Sequence, residues 1–104
     1  LEEIAKTPYL DALYIGPSDL SIGMSNGALQ HSLDREEPEV IEAIQRIVAV
    51  AHDNGIRAAL HCGTPEYAAR GVEWGFDMVT VGADSALLAQ GAANLTKTFR
   101  GLIS

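Results

Sequence analysis

Basic residues are scarce. Seven Lys and Arg stand against fourteen Asp and Glu, a formal charge of −7. That balance argues against a surface for nucleic acid or anionic lipid, which needs clustered cations. The acids are dispersed, and the longest cluster, Asp34 to Glu37, is interrupted by Arg35, so no acidic tail is implied. Cysteine occurs once, as Cys62. A disulfide within the chain is excluded, and a reducing, cytoplasmic setting is the default expectation. No apolar run approaches the roughly 18 residues of a membrane-spanning helix. The start, Leu1-Glu2-Glu3, is neither an initiator Met nor a basic signal region and reads as an internal point of a longer coding sequence. No repeat, low-complexity tract or linker is present.

What is there fits one small α/β domain over 1–104, with 47% hydrophobic residues. A chain of this size buries about two-thirds of its unfolded surface, so the core is modest. Three short apolar runs, each closed by glycine, read as strands: Ala12–Gly16, Arg57–Gly63 and Met78–Gly82. They do not alternate cleanly between apolar and polar, which predicts burial on both faces. Helices are predicted between and after them. Pro38 suits a first helical position, and Val40, Ile41, Ile44, Ile47, Val48 and Ala51 follow helical spacing up to an Asn54-Gly55 end. Thr64-Pro65-Glu66 starts a second helix, which Gly75 closes. Asp84 or Ser85 is expected to cap a third, running to about Phe99, and Gly91 within it suggests a close contact.

Regular β/α alternation implies parallel strands with right-handed crossovers. Three such strands alone leave open edges and uncovered apolar faces, so the chain reads as part of a larger sheet or barrel. Residues 22–37 form the one long loop, of the kind that serves as a lid or interface.

Asp19 follows the first strand in the stretch Leu10-Asp11-Ala12-Leu13-Tyr14-Ile15-Gly16-Pro17-Ser18-Asp19-Leu20-Ser21. Parallel α/β proteins place ligands and catalytic groups at that end of a strand. Its carboxylate is either a ligand for a magnesium-type ion or the cap of a short turn. His61 and Cys62 are adjacent, so in a strand they point to opposite faces and do not readily share one metal ion. Cys62 is expected to be a buried apolar residue. Gly82-Ala83-Asp84 could form a phosphate-binding turn, but a helix cap at Asp84 is the better reading. His31 reads as a loop residue, His52 as a helix-surface residue, and Trp74 as packing.

Tyr14-Ile15-Gly16-Pro17-Ser18-Asp19-Leu20-Ser21 followed by Gly23 resembles the Gly-Pro-x-Asp-Leu-Ser block of the HpcH/HpaI aldolase family. The run from Gly71 to Asp84 resembles that family's last strand and its approach. The resemblance spans about residues 5–100 and covers the C-terminal part of a family member. It implies the sixth to eighth strands, with their helices, of a (β/α)8 TIM barrel. It also implies a class II aldolase that cleaves or forms 2-keto-3-deoxy acids with pyruvate as the enolate partner and an aldehyde as the other substrate. The implied cofactor is a divalent metal: magnesium, manganese or cobalt. Asp19 matches the family's aspartate metal ligand, and Ser18 the position whose backbone N–H contacts the pyruvate carboxylate. His61 falls where the family has a pocket-wall residue, often apolar, so the histidine is a departure. The family's second ligand, a glutamate, and its catalytic histidine and arginine are expected upstream of Leu1. Glu2 and Glu3 do not fill the glutamate's role. This chain alone is therefore expected to be inactive. A homo-oligomer, hexamer or trimer, is implied for the intact enzyme, with residues from Leu87 to Phe99 at a subunit contact. Two alternatives remain: a non-catalytic α/β fragment that needs a partner chain, and an acyl-CoA lyase similar to the citrate lyase β-subunit.

Overall fold

This computed structural model describes residues 1–30 and 32–104. The expectation for His31 lies outside the described residues. In chain order the elements are α1 (Glu2–Ala5), β1 (Ala12–Ile15), α2 (Pro17–Met24), α3 (Pro38–Asp53), β2 (Arg57–Leu60), α4 (Pro65–Glu73), β3 (Met78–Val79) and α5 (Asp84–Ile103). Proline and glycine set most boundaries. Pro38 opens α3, and Gly55, at φ 73°, turns the chain away after Asn54. Thr64 caps α4, its Oγ1 accepting from the Tyr67 N–H at 3.2 Å, and Gly75 at φ 102° ends the turn beyond it.

The strands pair in parallel in the order β1-β2-β3, with Tyr14 opposite Ala59 and Ala59 opposite Met78. Each is shorter than its glycine-terminated run predicts. Backbone pairing extends one residue further, from His61 N–H to Ile15 O and from Thr80 N–H to Leu60 O, both at 3.1 Å. Beyond that point Pro17 has no N–H to continue the β1–β2 ladder, and on the β2–β3 side the Cys62 N–H donates to the Thr80 side-chain Oγ1 at 2.9 Å instead of a backbone carbonyl.

The order runs in one direction, so crossovers of one hand stack the helices on one face of the sheet. Ile15, Ala58, Leu60 and Cys62 point to that face and are buried with Val40, Ile44, Val48, Ala51, Tyr67, Ala68 and Phe76. Each large side chain in this layer contributes roughly 1.5–3 kcal/mol by leaving water. A Cβ on Gly71 would stand 3.1 Å from both Leu60 and Val79, which shows how closely α4 lies on β2 and β3. Trp74 packs edge-on to Tyr67, and Arg70 lies over both rings, as packing predicts. The other face is bare: Tyr14 is 59% and Met78 56% exposed. The expectation of burial on both faces holds for β2, where Ala58, Ala59 and Leu60 are all buried, and is corrected for the outer strands, whose open-face residues Tyr14 and Met78 are exposed. A parallel sheet wound to one side with its inner face open is a piece of a (β/α)8 barrel rather than of a doubly wound sheet.

Three further expectations change. Asp19 lies within an eight-residue helix, α2, so the long connection begins only after Met24. Asp84 does not cap α5. Ala83 holds that position without a side-chain bond, while Asp84 is the first helical residue and its Oδ1 accepts from the Ser85 N–H at 2.8 Å. Gly91 makes no close contact, because no residue of α5 is buried. The helix runs on to Ile103 and projects from the rest. The radius of gyration is 17.3 Å, against about 13 Å for a compact domain of about 100 residues. Among the described residues no helix is long and apolar enough to cross a membrane.

At the N-terminal end of the sheet, Asp77 gathers His52 Nε2 and the Ala58 N–H, each at 2.9 Å, and Arg57 at 3.3 Å. The His52 hydrogen bond, then the Ala58 N–H, lower its pKa to about 2. A carboxylate held below its ordinary value adds stability above about pH 4 and loses it as pH falls toward 2. Asp77→Asn is therefore expected to lower the Tm at pH 7 and to lower it by less at pH 2.5. An equal Tm difference at both pH values contradicts this.

Candidate functional site

The C-terminal ends of the strands carry the polar groups that the sequence singles out. Gly16, extended at φ −100° and ψ 98°, breaks β1, and Pro17 starts α2 at once. The first intrahelical bond runs from Leu20 N–H to Gly16 O at 2.9 Å. The N–H groups of Ser18 and Asp19 come before it and are left for an outside acceptor. Ser18 is buried, and its Oγ accepts from the Ser32 N–H at 3.2 Å.

Asp19 is not the helix cap. The cap position is Gly16, with no side-chain bond, and Asp19 is the third helical residue. The carboxylate is exposed and folds back over the strand end, with Oδ2 3.5 Å from where a Cβ on Gly16 would stand. It pairs with no described residue by hydrogen bond or ion pair. Beside it opens a concavity of about 560 Å³ lined by Ile15, Gly16, Leu20, Gly23, Met24 and Ile47. A carboxylate oxygen suits a hard divalent cation. It is one ligand, however, and no group of three metal-binding side chains forms among the described residues.

His61 points to the bare face. Its Nδ1 lies 3.0 Å from Tyr14 Oη and 3.1 Å from Thr80 Oγ1. The Tyr14 ring meets the imidazole edge-on, at 88° and 6.2 Å between centroids. No hydrogen bond joins His61 to Ser18 or Asp19; the structure places them at the same end of the sheet without bringing them into contact. Tyr14 and Thr80 are the residues that sequence reasoning missed. The available signal was their matching position, each within two residues of the end of its strand. Cys62 points the other way, buried against the helices, and burial, aided by the Asp34 charge, pushes its thiol up to about 11. A shared His61–Cys62 metal site is excluded by that geometry.

The connection from α2 to α3 crosses this end and is pinned there. Asp34, at φ 54°, accepts from the Gly63 N–H and the Thr64 hydroxyl, both at 2.7 Å. Tyr67 donates to Arg35 O at 2.7 Å, and the buried Arg35 grips Glu37 through two nitrogens. At Asp34 and Arg35 the connection is thus tied to the rim of the sheet.

Residues 1–91 match the family described as HpcH/HpaI aldolase/citrate lyase. A hydroxypyruvate/pyruvate aldolase of Rhizorhabdus wittichii is 33% identical over 102 residues, covering 98% of this chain and 39% of that protein. A 5-keto-4-deoxy-D-glucarate aldolase of Escherichia fergusonii is 34% identical over 100 residues, covering 96% of this chain and 37% of that protein. Among solved structures, an HpcH/HpaI aldolase/citrate lyase family protein of Burkholderia cenocepacia superimposes with a TM-score of 0.80 at 28% identity, covering 95% of this chain and 37% of the other. The chain thus spans under two-fifths of the length of the relatives it matches.

Proposed function

Because the chain belongs to the HpcH/HpaI aldolase/citrate lyase family, we propose that it forms, over 1–104, the last three β/α units of a carbon–carbon lyase. The lyase joins pyruvate, as its enolate, to an aldehyde, or cleaves the resulting 2-keto-3-deoxy acid. The observation that carries this is the Asp19 carboxylate. It pairs with no described residue and stands at the C-terminal end of β1, beside the N–H groups of Ser18 and Asp19, which precede the first bond of α2.

In this reading Asp19 supplies one ligand to a divalent ion, magnesium, manganese or cobalt. The glutamate ligand, the catalytic histidine and the arginine come from elsewhere in a longer protein. The bound ion would act as a Lewis acid toward the keto oxygen and the enolate. The Ser18 N–H orients the pyruvate carboxylate, favoured there by the positive end of the helix. His61 faces the substrate from the neighbouring strand. The enzyme works in the cytoplasm as a homo-oligomer, trimer or hexamer, and α5, exposed along its length, contributes to the subunit contact.

The test is an assay of the full-length protein for pyruvate release from 4-hydroxy-2-keto acids, with an acyl-CoA lyase assay in parallel. Pyruvate release that needs a divalent ion is expected. Cleavage of the acyl-CoA substrate alone overturns the aldolase reading.

A further inference from the structure

The segment from Ser32 to Arg35 holds two β/α units at once. Toward the β1 unit, the Ser32 N–H donates to Ser18 Oγ at 3.2 Å. Toward the β2 unit, Asp34 accepts from the Gly63 N–H and the Thr64 hydroxyl, both at 2.7 Å. Only Leu33 separates the two attachments.

Ser18 is 5% exposed and is held at both of its oxygens. Its carbonyl accepts from the Ser21 hydroxyl at 2.8 Å. That bond lies inside α2, so it stiffens the first turn without fixing where the turn sits. The hydroxyl is held from outside, by Ser32, and this bond is only as firm as the backbone that carries the Ser32 N–H. The Ser32 side chain adds nothing across the gap, since its Oγ donates to the adjacent Leu33 O. The firmness comes from the next residues.

Asp34 supplies most of it. A carboxylate accepting two hydrogen bonds makes charge-assisted contacts, stronger than neutral ones. One of its donors, Thr64, caps α4 by accepting from the Tyr67 N–H, so the chain is fastened to a helix end that is itself fixed. The approach is close. A Cβ on Gly63 would stand 3.2 Å from Leu33 Cβ and 3.4 Å from Asp34 Oδ2. Asp34 also sits at φ 54°, a backbone conformation that costs energy for any residue but glycine and is kept only where the surroundings impose it. Arg35 adds a second hold: its carbonyl accepts from the Tyr67 hydroxyl at 2.7 Å, and its Nη1 donates to Gln30 O at 2.9 Å.

We infer that Asp34 is a positioning residue for pyruvate. It ties the connection to the start of α4, and through Ser32 and the Ser18 hydroxyl it fixes the first turn of α2, so that the Ser18 N–H keeps its place against the pyruvate carboxylate. The inference rests on the aldolase reading above and adds to it the brace that holds the carboxylate's donor. Hydrogen bonds weaken steeply with misalignment, so a shift of the turn is felt in pyruvate binding.

The experiment uses the full-length enzyme, with pyruvate and glycolaldehyde as substrates, well below the Tm of every variant. Asp34→Ala is expected to raise the KM for pyruvate roughly tenfold, the scale of one impaired hydrogen bond, while kcat and the KM for the aldehyde stay near parental. Asp34→Gly removes the carboxylate but suits φ 54°, so an effect equal to that of Asp34→Ala assigns the change to the lost bonds rather than to backbone strain. Asp34→Asn keeps an acceptor for the Gly63 N–H and should fall between, and it carries the test if Asp34→Ala does not fold. Ser18→Ala keeps the N–H and loses the anchor, so it should raise the same KM. The double variant with Asp34→Ala should be no worse than the worse single, because both break one chain of contacts. Hydrogen exchange, which needs no turnover, should show the Ser32 amide losing protection in both single variants. A pyruvate KM that stays parental in the Asp34 variants while the Tm falls, or effects of Asp34→Ala and Ser18→Ala that multiply, overturns the inference and leaves the aldolase reading intact. A parent that forms no product from pyruvate and the aldehyde overturns the aldolase reading, and the inference with it.

Discussion

Asp19→Ala in the full-length enzyme is expected to cut the rate of pyruvate release about a thousandfold at limiting magnesium or manganese. The reason is the chemistry of the donor set. A single carboxylate stands at this end of β1, and it neither caps α2 nor pairs with a described side chain. Losing one of two anionic ligands weakens retention of a hard cation, and a Lewis acid of this kind supplies several kcal/mol of transition-state stabilisation. At 1.36 kcal/mol per factor of ten, about 4 kcal/mol corresponds to the stated loss. Asp19→Asn keeps the shape and one oxygen without the charge, so it should fall between parent and alanine. His61→Leu should leave metal binding intact. A direct Mn²⁺ titration of the three variants separates weakened binding from slowed chemistry. Near-parental activity of Asp19→Ala at low metal removes Asp19 from the site.

The second large effect concerns the 104 residues expressed alone. They are expected to be oligomeric, aggregated or partly molten. Both outer strands, β1 and β3, present unpaired backbone on one side, a template for association. Tyr14 and Met78 lie bare on the inner face, and Leu88, Leu95 and Leu102 of α5 are 77%, 75% and 80% exposed. A helix packed on nothing has only its own hydrogen bonds and propensities to hold it. Sedimentation velocity and calorimetry decide the matter. A sharp monomeric two-state transition contradicts the expectation, whereas heterogeneous sedimentation that resolves when the missing part of the protein is supplied supports it.

Element starts and stops were legible because they depend on few residues. Thr64-Pro65, Pro38 and Asn54-Gly55 act through local backbone chemistry, and the structure uses each as read. The helix α2 was not legible, because Gly16-Pro17 reads as a break and Gly23 lies inside the final turn, while no apolar stripe marks a buried side. Gly91 misled for a different reason: a glycine within a helix implies a neighbour, and α5 has none among these residues. At the candidate site, Asp19 and Ser18 were visible because they are contiguous. The pairing of His61 with Tyr14 and Thr80 was not, since it needs the alignment of three strands, and no local pattern encodes which residues become neighbours. The bare face of the outer strands was hidden by its own composition. Tyr14 and Met78 would suit a covered surface equally well.

The one-way strand order bears on what a length of this polypeptide means in space. In a sheet that grows at one edge with every unit added, distance along the chain and distance around the sheet increase together. A contiguous stretch of sequence is then a contiguous sector of a ring, bounded by two radial cuts that sever few contacts within it. In a fold whose strands interleave, a stretch of the same length would be scattered strips with no shared interior. The sector geometry explains how 104 residues can keep a helix-covered core of their own, and how a piece under two-fifths of a relative's length can superimpose on it as one body.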